Sequence, residues 1–257
     1  MPFSLSNFEK HRAVFQAKRR ATLFDLDGTL YDSAYVRGHM MLKLVRAYQS
    51  RPKQGIRVVQ VLQAYRRAHE QLRIIETVGQ DLRVLQLQTA ADRLGVSVSD
   101  VDKHVRRWME EEPLELLRPA MKIGLLPFLH LLKKANFALG VVSDYPAMEK
   151  LRYMGLDHYL DVVVSAQDRH VQSLKPSARS LCVAANALDV LPKHTLYIGD
   201  RIGIDDVAAQ RAGMGSVIIG AQPSPRPGSS SVPDYFALAA IASDLISSNE
   251  RSFEPAQ

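Results

Sequence analysis

Two carboxylates, Asp25 and Asp27, end a short apolar run in the segment 21–30, ATLFDLDGTL. The apolar run predicts a buried strand, and carboxylates at its end need a cation or hydrogen-bond donors to offset the loss of hydration. Side chains two residues apart on a strand point the same way, and Gly28 allows the chain to turn sharply after them. The two acids can therefore share one small cleft, an arrangement that suits a magnesium ion and a phosphoryl group.

Later apolar runs also end in polar residues. Ser143 follows the predicted strand 137–142, and Asp200 follows the predicted strand 195–198. Ligands of open parallel sheets bind outside the carboxyl ends of the strands. We therefore expect Asp25, Asp27, Ser143 and Asp200 to converge on one site, although they are far apart in sequence.

Four segments resemble the motifs of one family. DLDGTLYDS resembles the first motif of the haloacid dehalogenase superfamily of phosphohydrolases, and VVSD, LKP and YIGDRIGIDDVAAQRAGM resemble its second, third and fourth motifs. The resemblance covers roughly residues 21–220. One departure is Arg201, which stands where many relatives carry serine and could alter the rim of the site.

The resemblance implies a mechanism and a role for each motif residue. Asp25 is the nucleophile that forms an aspartyl-phosphate, and Asp27 is the general acid and base. Dehalogenating relatives have no use for an acid at the position of Asp27, because halide leaves without a proton, so Asp27 favours phosphoryl transfer. Lys175 is the third catalytic residue, because it neutralises the charge of Asp25 and of the phosphoryl group. The residues that bind the substrate phosphate, partly through a backbone N–H, are Ser143, Asp144, Lys175 and Thr29. For Thr29, a hydrogen bond within the loop or a role in ending the turn is an equal alternative.

Mg²⁺ is the cofactor that the resemblance implies. Its ligands are Asp25, the backbone carbonyl of Asp27, Asp200 and a further acid of the fourth motif, because a hard cation prefers carboxylate oxygens. Counting back eight residues from the glycine of Ala-Gly-Met gives Asp205, and its neighbour Asp206 is the open alternative.

The elements that position these residues fall into two groups. From residue 33 to about 117 the apolar spacing is helical, as in the stripe formed by Val58, Val61, Leu62 and Tyr65. From residue 121 onward, helices alternate with short apolar strands, which is typical of a parallel sheet. We predict an α/β fold, with a Rossmann-like three-layer α/β/α core and an inserted all-helical cap. The expected boundaries are a basic leader at 1–20, a core at 21–32 and 119–247, a cap at 33–118 and a flexible tail at 248–257, with a loop at 222–233.

Three alternatives to a phosphatase stay open. A phosphomutase similar to β-phosphoglucomutase would share the core and cap, and a non-enzymatic regulatory module could retain the fold. A phosphonate-cleaving enzyme would need a cap lysine that forms a Schiff base, for which Lys43, Lys53 and Lys103 are available. The cap is also rich in arginine, and most of these arginines are expected on solvated helix faces.

The composition of the chain bears on its expected partners and location. The 257 residues carry a net charge of +6, but the signs are mixed along the chain, so we expect a solvated surface and no nucleic-acid partner. A single cysteine excludes an intramolecular disulfide. We see no signal peptide or membrane span, and we expect a cytoplasmic monomer or homodimer that acts on a small phosphorylated metabolite.

Overall fold

A six-stranded sheet forms the centre of the computed structural model, which describes residues 5–74, 80–220 and 229–251. All neighbouring strands are parallel, and their order is β3-β2-β1-β4-β5-β6. The strands are β1 (Ala21–Phe24), β2 (Ala138–Ser143), β3 (Val162–Ser165), β4 (Thr195–Gly199), β5 (Gly215–Ile219) and β6 (Ser229–Val232). The predicted strands are confirmed to within one residue at their ends, and the predicted fold class is confirmed.

Helices cover both faces of this sheet. Phe24, Val141 and Ile198 pack into one apolar cluster, whereas Leu23 and Tyr197, on the same strands, pack into another on the opposite face. Strands covered on both faces explain why β1, β2 and β4 read as continuous apolar runs. The α-helices are α1 (Arg12–Gln16), α2 (Ser33–Ala47), α3 (Pro52–Leu72), α4 (Leu82–Leu94), α5 (Val98–Val105), α6 (Leu114–Leu117), α7 (Leu125–Lys134), α8 (Met148–Met154), α9 (Arg179–Ala187), α10 (Asp205–Ala212) and α11 (Tyr235–Arg251).

The predicted helical insertion is present between β1 and β2. Helix α3 buries Val61 and Tyr65 against α4 and α5, which together form a small apolar centre of their own. Helix α5 continues into a π-helical turn that places the buried Trp108 beside α2 and α3. The last helix of the predicted cap, α6, packs instead on the core, because Leu114 and Leu117 belong to the main apolar cluster. Within the described residues, no helix has the length and apolar character needed to cross a bilayer.

The prediction of a solvated basic leader is wrong for its described part. Residues 5–11 form a 3₁₀ helix that leads into α1, and Phe8, Val14 and Phe15 are buried in the main core. Arg20 donates a hydrogen bond to the carbonyl of Ala135 at 2.6 Å. The segment therefore packs as part of the core. The prediction failed because the segment contains many charged residues and only a few apolar ones. Residues 1–4 lie outside the described residues.

Two boundaries near the carboxyl end also differ from the prediction. The predicted loop 222–233 contains strand β6, and the rest of it, 222–228, lies outside the described residues. The tail predicted from residue 248 is helical as far as Arg251, because α11 continues beyond Ile246. Residues 252–257 are not among those described.

Candidate active site

The carboxyl end of β1 lies between the carboxyl ends of β2 and β4. Phe24, the last residue of β1, pairs with Val141 on one side and Ile198 on the other. The backbone N–H of Asp25 continues this ladder by donating to the carbonyl of Ile198 at 2.8 Å. The residues that follow these three strands therefore meet above the sheet, as predicted.

Asp25 is held at the base of this site by two donors. Lys175 Nζ donates to Asp25 Oδ1 at 2.5 Å, and Thr29 Oγ1 donates to Oδ2 at 3.0 Å. The carboxylate is only 7% exposed. The contact of Thr29 matches the predicted hydrogen bond within the loop, whereas a contact of Thr29 with phosphate stays a prediction.

Lys175 lies at the centre of a buried charge cluster. Besides Asp25, its Nζ donates to Asp205 Oδ1 at 2.8 Å and lies 2.9 Å from the hydroxyl oxygen of Tyr197. Burial alone would lower the pKa of the ammonium, but the two carboxylates raise the pKa well above its usual value. Tyr197 was missed by the sequence analysis, because an aromatic residue inside a strand reads as ordinary core.

Three carboxylates can hold a metal ion here. One oxygen from each of Asp25, Asp200 and Asp205 lies within 4.8 Å of the others. Oδ1 of Asp200 is buried and has no hydrogen-bond partner within the described part of the chain. A Cβ on Gly28 would lie 2.2 Å from Oδ2 of Asp200, so the turn after β1 needs a glycine for this approach. The oxygen-rich donor set and the unpartnered oxygen fit a hard divalent cation such as Mg²⁺.

The pKa values of this cluster point to the same conclusion. Burial, together with the charges of Asp205 and Asp200, raises the pKa of Asp25 to about 8 despite the nearby Lys175. Burial and the charge of Asp205 raise the pKa of Asp200 to about 6. Neighbouring carboxylates repel one another when both are ionised, which raises their pKa values. A bound cation would offset this repulsion.

Asp205 and Asp206 occupy different environments. Oδ2 of Asp205 accepts hydrogen bonds from the backbone N–H groups of Asp200 and Arg201, at 3.2 and 3.0 Å, in addition to the contact of Oδ1 with Lys175. Oδ1 of Asp206 accepts from the backbone of Gly203 and Val207, at the start of α10. The geometry therefore favours Asp205 over Asp206 as the third acid, and its role in the metal shell stays a prediction.

Asp27 has two partners that the sequence analysis missed. Lys150 Nζ, from α8, donates to Asp27 Oδ1 at 2.6 Å, and the hydroxyl of Tyr31 donates to the same oxygen. Burial would raise the pKa of Asp27, but Lys150 and Tyr31 lower it below the usual value. Tyr31 lies in the motif itself and could have been considered, but no local signal marks Lys150, which is 123 residues away.

Ser143 ends β2 beside this cluster, and Asp144 follows it. The hydroxyl of Ser143 is buried and accepts from the backbone N–H of Tyr145 at 3.2 Å. The carboxylate of Asp144 forms an ion pair with Arg73 of the cap at 2.7 Å, and Lys175 and Arg73 hold its pKa well below the usual value despite its burial. A negatively charged side chain repels phosphate, so Asp144 can contact phosphate only through its backbone N–H. The predicted contact between Asp144 and phosphate stays a prediction.

The cap closes over the site through further polar contacts. His69 stacks on the ring of Tyr145, with centroids 4.4 Å apart, and Arg73 also donates to the carbonyl of Lys175 at 2.6 Å. Arg201 lies 3.4 Å from a carboxylate oxygen of Glu70. A small cleft remains between cap and core, lined by the following residues: Asp25, Asp27, Arg73, Asp144, Tyr145, Lys175, Arg201 and Ile204. Both carboxylates and cations therefore face this cleft.

Comparisons with known proteins identify the family and the fold of the chain. The sequence model of the haloacid dehalogenase-like hydrolases matches residues 22–219. The chain is 27% identical over 210 residues to the glyceraldehyde 3-phosphate phosphatase of Methanopyrus kandleri, covering 78% of this chain and 83% of that protein. It is 26% identical over 203 residues to the pyrophosphatase PpaX of Halalkalibacterium halodurans, covering 77% and 82%. The magnesium-bound crystal structure of YfnB from Bacillus subtilis shares the fold, with a TM-score of 0.65 at 17% identity over 88% of this chain and 100% of that one.

Proposed function

Because the chain belongs to the haloacid dehalogenase-like hydrolase family, we propose that it is a Mg²⁺-dependent phosphatase that hydrolyses a small phosphorylated metabolite through an aspartyl-phosphate. The observation that carries this proposal is the buried cluster of Asp25, Asp200 and Asp205 around Lys175. The two relatives above are named as phosphatases, which supports the same reaction class.

The first step uses Asp25 as the nucleophile. An oxygen of Asp25 attacks phosphorus, forming the aspartyl-phosphate bond while the bond between phosphorus and the leaving oxygen breaks. Lys175 donates to Asp25 Oδ1, which keeps the carboxylate positioned and offsets charge on the transferring group. Mg²⁺ held by Asp25 and Asp200, with Asp205 beside them, would supply positive charge that keeps both carboxylates ionised next to an anionic substrate.

Asp27 moves the protons of both steps. Because Lys150 and Tyr31 hold its pKa low, Asp27 is ionised before substrate arrives, and the like charge of an approaching phosphate group raises its affinity for a proton. Asp27 takes up this proton from solvent and gives it to the leaving oxygen as the bond to phosphorus breaks. In the second step Asp27 takes a proton from water while the water oxygen bonds to phosphorus and the bond between phosphorus and Asp25 breaks. Phosphate leaves, the carboxylate of Asp25 is restored, and Asp27 returns the proton to solvent.

The cap supports a small substrate. Arg73 and Tyr145 stand over Asp25 in the cleft, and closure of a lid over a reacting phosphoryl group excludes competing water and orients the substrate. The described residues that line the cleft include none of Lys43, Lys53 and Lys103, and Lys43 instead forms an ion pair with Glu112 at 2.7 Å. No observation therefore favours the phosphonate-cleaving alternative.

The proposal is tested by phosphate release from 4-nitrophenyl phosphate. We expect turnover with Mg²⁺, loss of turnover when EDTA removes it, and loss of at least about 10³-fold in kcat for Asp25→Asn, because the amide of asparagine does not form an acyl phosphate. The matched control is Asp244→Asn, which changes an exposed carboxylate on α11. Wild-type activity in Asp25→Asn with an unchanged melting temperature would contradict the assignment of the nucleophile.

A panel of phosphorylated metabolites separates the phosphatase from the phosphomutase. The phosphatase releases inorganic phosphate from its substrate without isomer formation, whereas a mutase passes the phosphoryl group from Asp25 to a second hydroxyl. Both products can be measured in one reaction by phosphate assay and by chromatography. Isomer formation that exceeds phosphate release would contradict the proposed hydrolase.

A further inference from the structure

We infer that Lys150 is a positioning residue for the general acid: together with Tyr31 it fixes the rotation of the Asp27 carboxyl group so that Oδ2 faces the leaving oxygen of the substrate. The inference rests on the proposed phosphatase function. It concerns a residue outside all four motifs, placed beside the site by α8.

The first support is the convergence of two donors on one oxygen. Lys150 Nζ lies 2.6 Å from Asp27 Oδ1, and the Tyr31 hydroxyl donates to the same atom. No described residue donates a hydrogen bond to Oδ2, and Asp27 lines the cleft next to Asp25. With both donors on Oδ1, a proton acquired by the carboxyl group resides on Oδ2, which is the oxygen left for the substrate.

The second support is the restricted position of the lysine itself. The side chain of Lys150 is only 14% exposed, and its ammonium lies 6.0 Å from the centre of the Tyr145 ring, within the range of a cation–π contact. Lys150 does not line the cleft, whereas Asp27 and Tyr145 do. A cation that is packed in this way acts on the reaction through Asp27 and makes no direct contact with the phosphate.

A positioned general acid matters most for a poor leaving group. Phenolate is a much poorer leaving group than 4-nitrophenolate, and the two phosphate esters are otherwise similar in shape. General acid catalysis contributes about 10²–10⁴-fold, and a misplacement of about 1 Å can remove 10²-fold of the rate. We therefore expect Lys150→Met to lower kcat/KM for phenyl phosphate by roughly 10- to 100-fold and for 4-nitrophenyl phosphate by less than about threefold.

Two further variants define the interaction. Lys150→Arg retains a donor and a positive charge, and we expect it to recover most of the activity toward phenyl phosphate. In an Asp27→Asn background, Lys150→Met should have little further effect on that substrate, because the group that it positions is no longer an acid. The matched control is Arg152→Met, which removes an exposed cation from the same helix.

The outcomes separate this inference from the proposed function. A wild-type protein that hydrolyses neither ester would contradict the phosphatase itself. An active wild type with equal losses for both esters in Lys150→Met, or with no loss for either, would overturn the role of Lys150 alone. Melting temperatures of all variants, measured in parallel, identify any loss that arises from unfolding.

Discussion

Asp200 offers a sharp test of the electrostatic account of the site. Burial and the charge of Asp205 raise its pKa to about 6 from an ordinary 3.8. Well below pH 3.8 the carboxyl group is protonated in both the folded and the unfolded chain. As the pH rises toward 6, the unfolded chain releases this proton first, so the folded chain binds more protons and the free energy of unfolding falls.

The size of this fall follows from the difference between the two pKa values. At about 1.4 kcal/mol for each pH unit, Asp200 alone lowers the free energy of unfolding by about 2 kcal/mol between pH 4.5 and pH 8 in the absence of metal, out of a full difference of about 3 kcal/mol. For a chain of this size, the fall over that pH range corresponds to roughly 4–8 °C in melting temperature. The variant Asp200→Asn has no proton to lose and should lack this part of the pH dependence.

The assay is denaturant or thermal unfolding in EDTA from pH 4.5 to pH 8, for the wild type and for Asp200→Asn. The difference between the two proteins separates the contribution of Asp200, including its effect on the pKa of Asp25, from that of the rest of the chain. We expect the variant to gain stability relative to the wild type as the pH rises. Asp244→Asn, which changes an exposed carboxylate, should run parallel to the wild type.

Addition of Mg²⁺ completes this test. Binding at one hundred times the dissociation constant stabilises the folded wild type by about 2.7 kcal/mol, and the gain should increase with pH because the ligands must be ionised. Asp200→Asn should show little of this gain. A difference between wild type and variant that stays constant from pH 4.5 to pH 8 would refute the assigned pKa and its cause.

Three further predictions follow from contacts around the site. Gly28→Ala places a Cβ 2.2 Å from Asp200 Oδ2 at a position where φ is +103°. We expect a stability loss of about 1–3 kcal/mol and a smaller rise of the melting temperature on addition of Mg²⁺. The control is Gly38→Ala, at an exposed position. Arg73→Met removes the ion-pair partner that lies 2.7 Å from the buried Asp144, which keeps its contacts with Lys175 and His69. It should cost about 1.5–3 kcal/mol in denaturant unfolding, whereas a change below about 0.5 kcal/mol would show that the pair adds little. Phe15→Ala should cost about 3–5 kcal/mol, because the side chain is buried in the core, and an unchanged unfolding midpoint would contradict the folded leader.

Local signals made the strands and the motif residues predictable. A run such as ATLF followed by acids contains both the strand and its functional end within a few residues, and β2 and β4 repeat this pattern. The convergence of the acids was also predictable, because the carboxyl ends of parallel strands lie at the same edge of the sheet.

Long-range contacts made the rest unpredictable from one sequence. The pairing of Lys150 with Asp27 and of Arg73 with Asp144 depends on how α8 and the cap pack, which no local pattern specifies. Strand β6, with the sequence SSSV, has no apolar alternation to reveal it. Its polar groups are satisfied from the amino-terminal segment, where Lys10 donates to the carbonyl of Ser229 and a ring nitrogen of His11 lies 3.1 Å from Ser230 Oγ.

The same charge arrangement lowers the stability of the folded chain and supports the proposed cation site. Among the described residues, Lys175 is the single ammonium in direct contact with Asp25 and Asp205, and Asp200 lies beside them with a buried oxygen that has no hydrogen-bond partner there. Three carboxylates with one lysine leave two negative charges, which a divalent cation balances. The fold brings these carboxylates close together because β1 and β4 pair in parallel, and their register places Asp25 and Asp200 at the same edge of the sheet. A neutral residue in place of Asp200 would remove the repulsion and stabilise the folded chain. The presence of a destabilising carboxylate therefore argues for a ligand at this edge of the sheet.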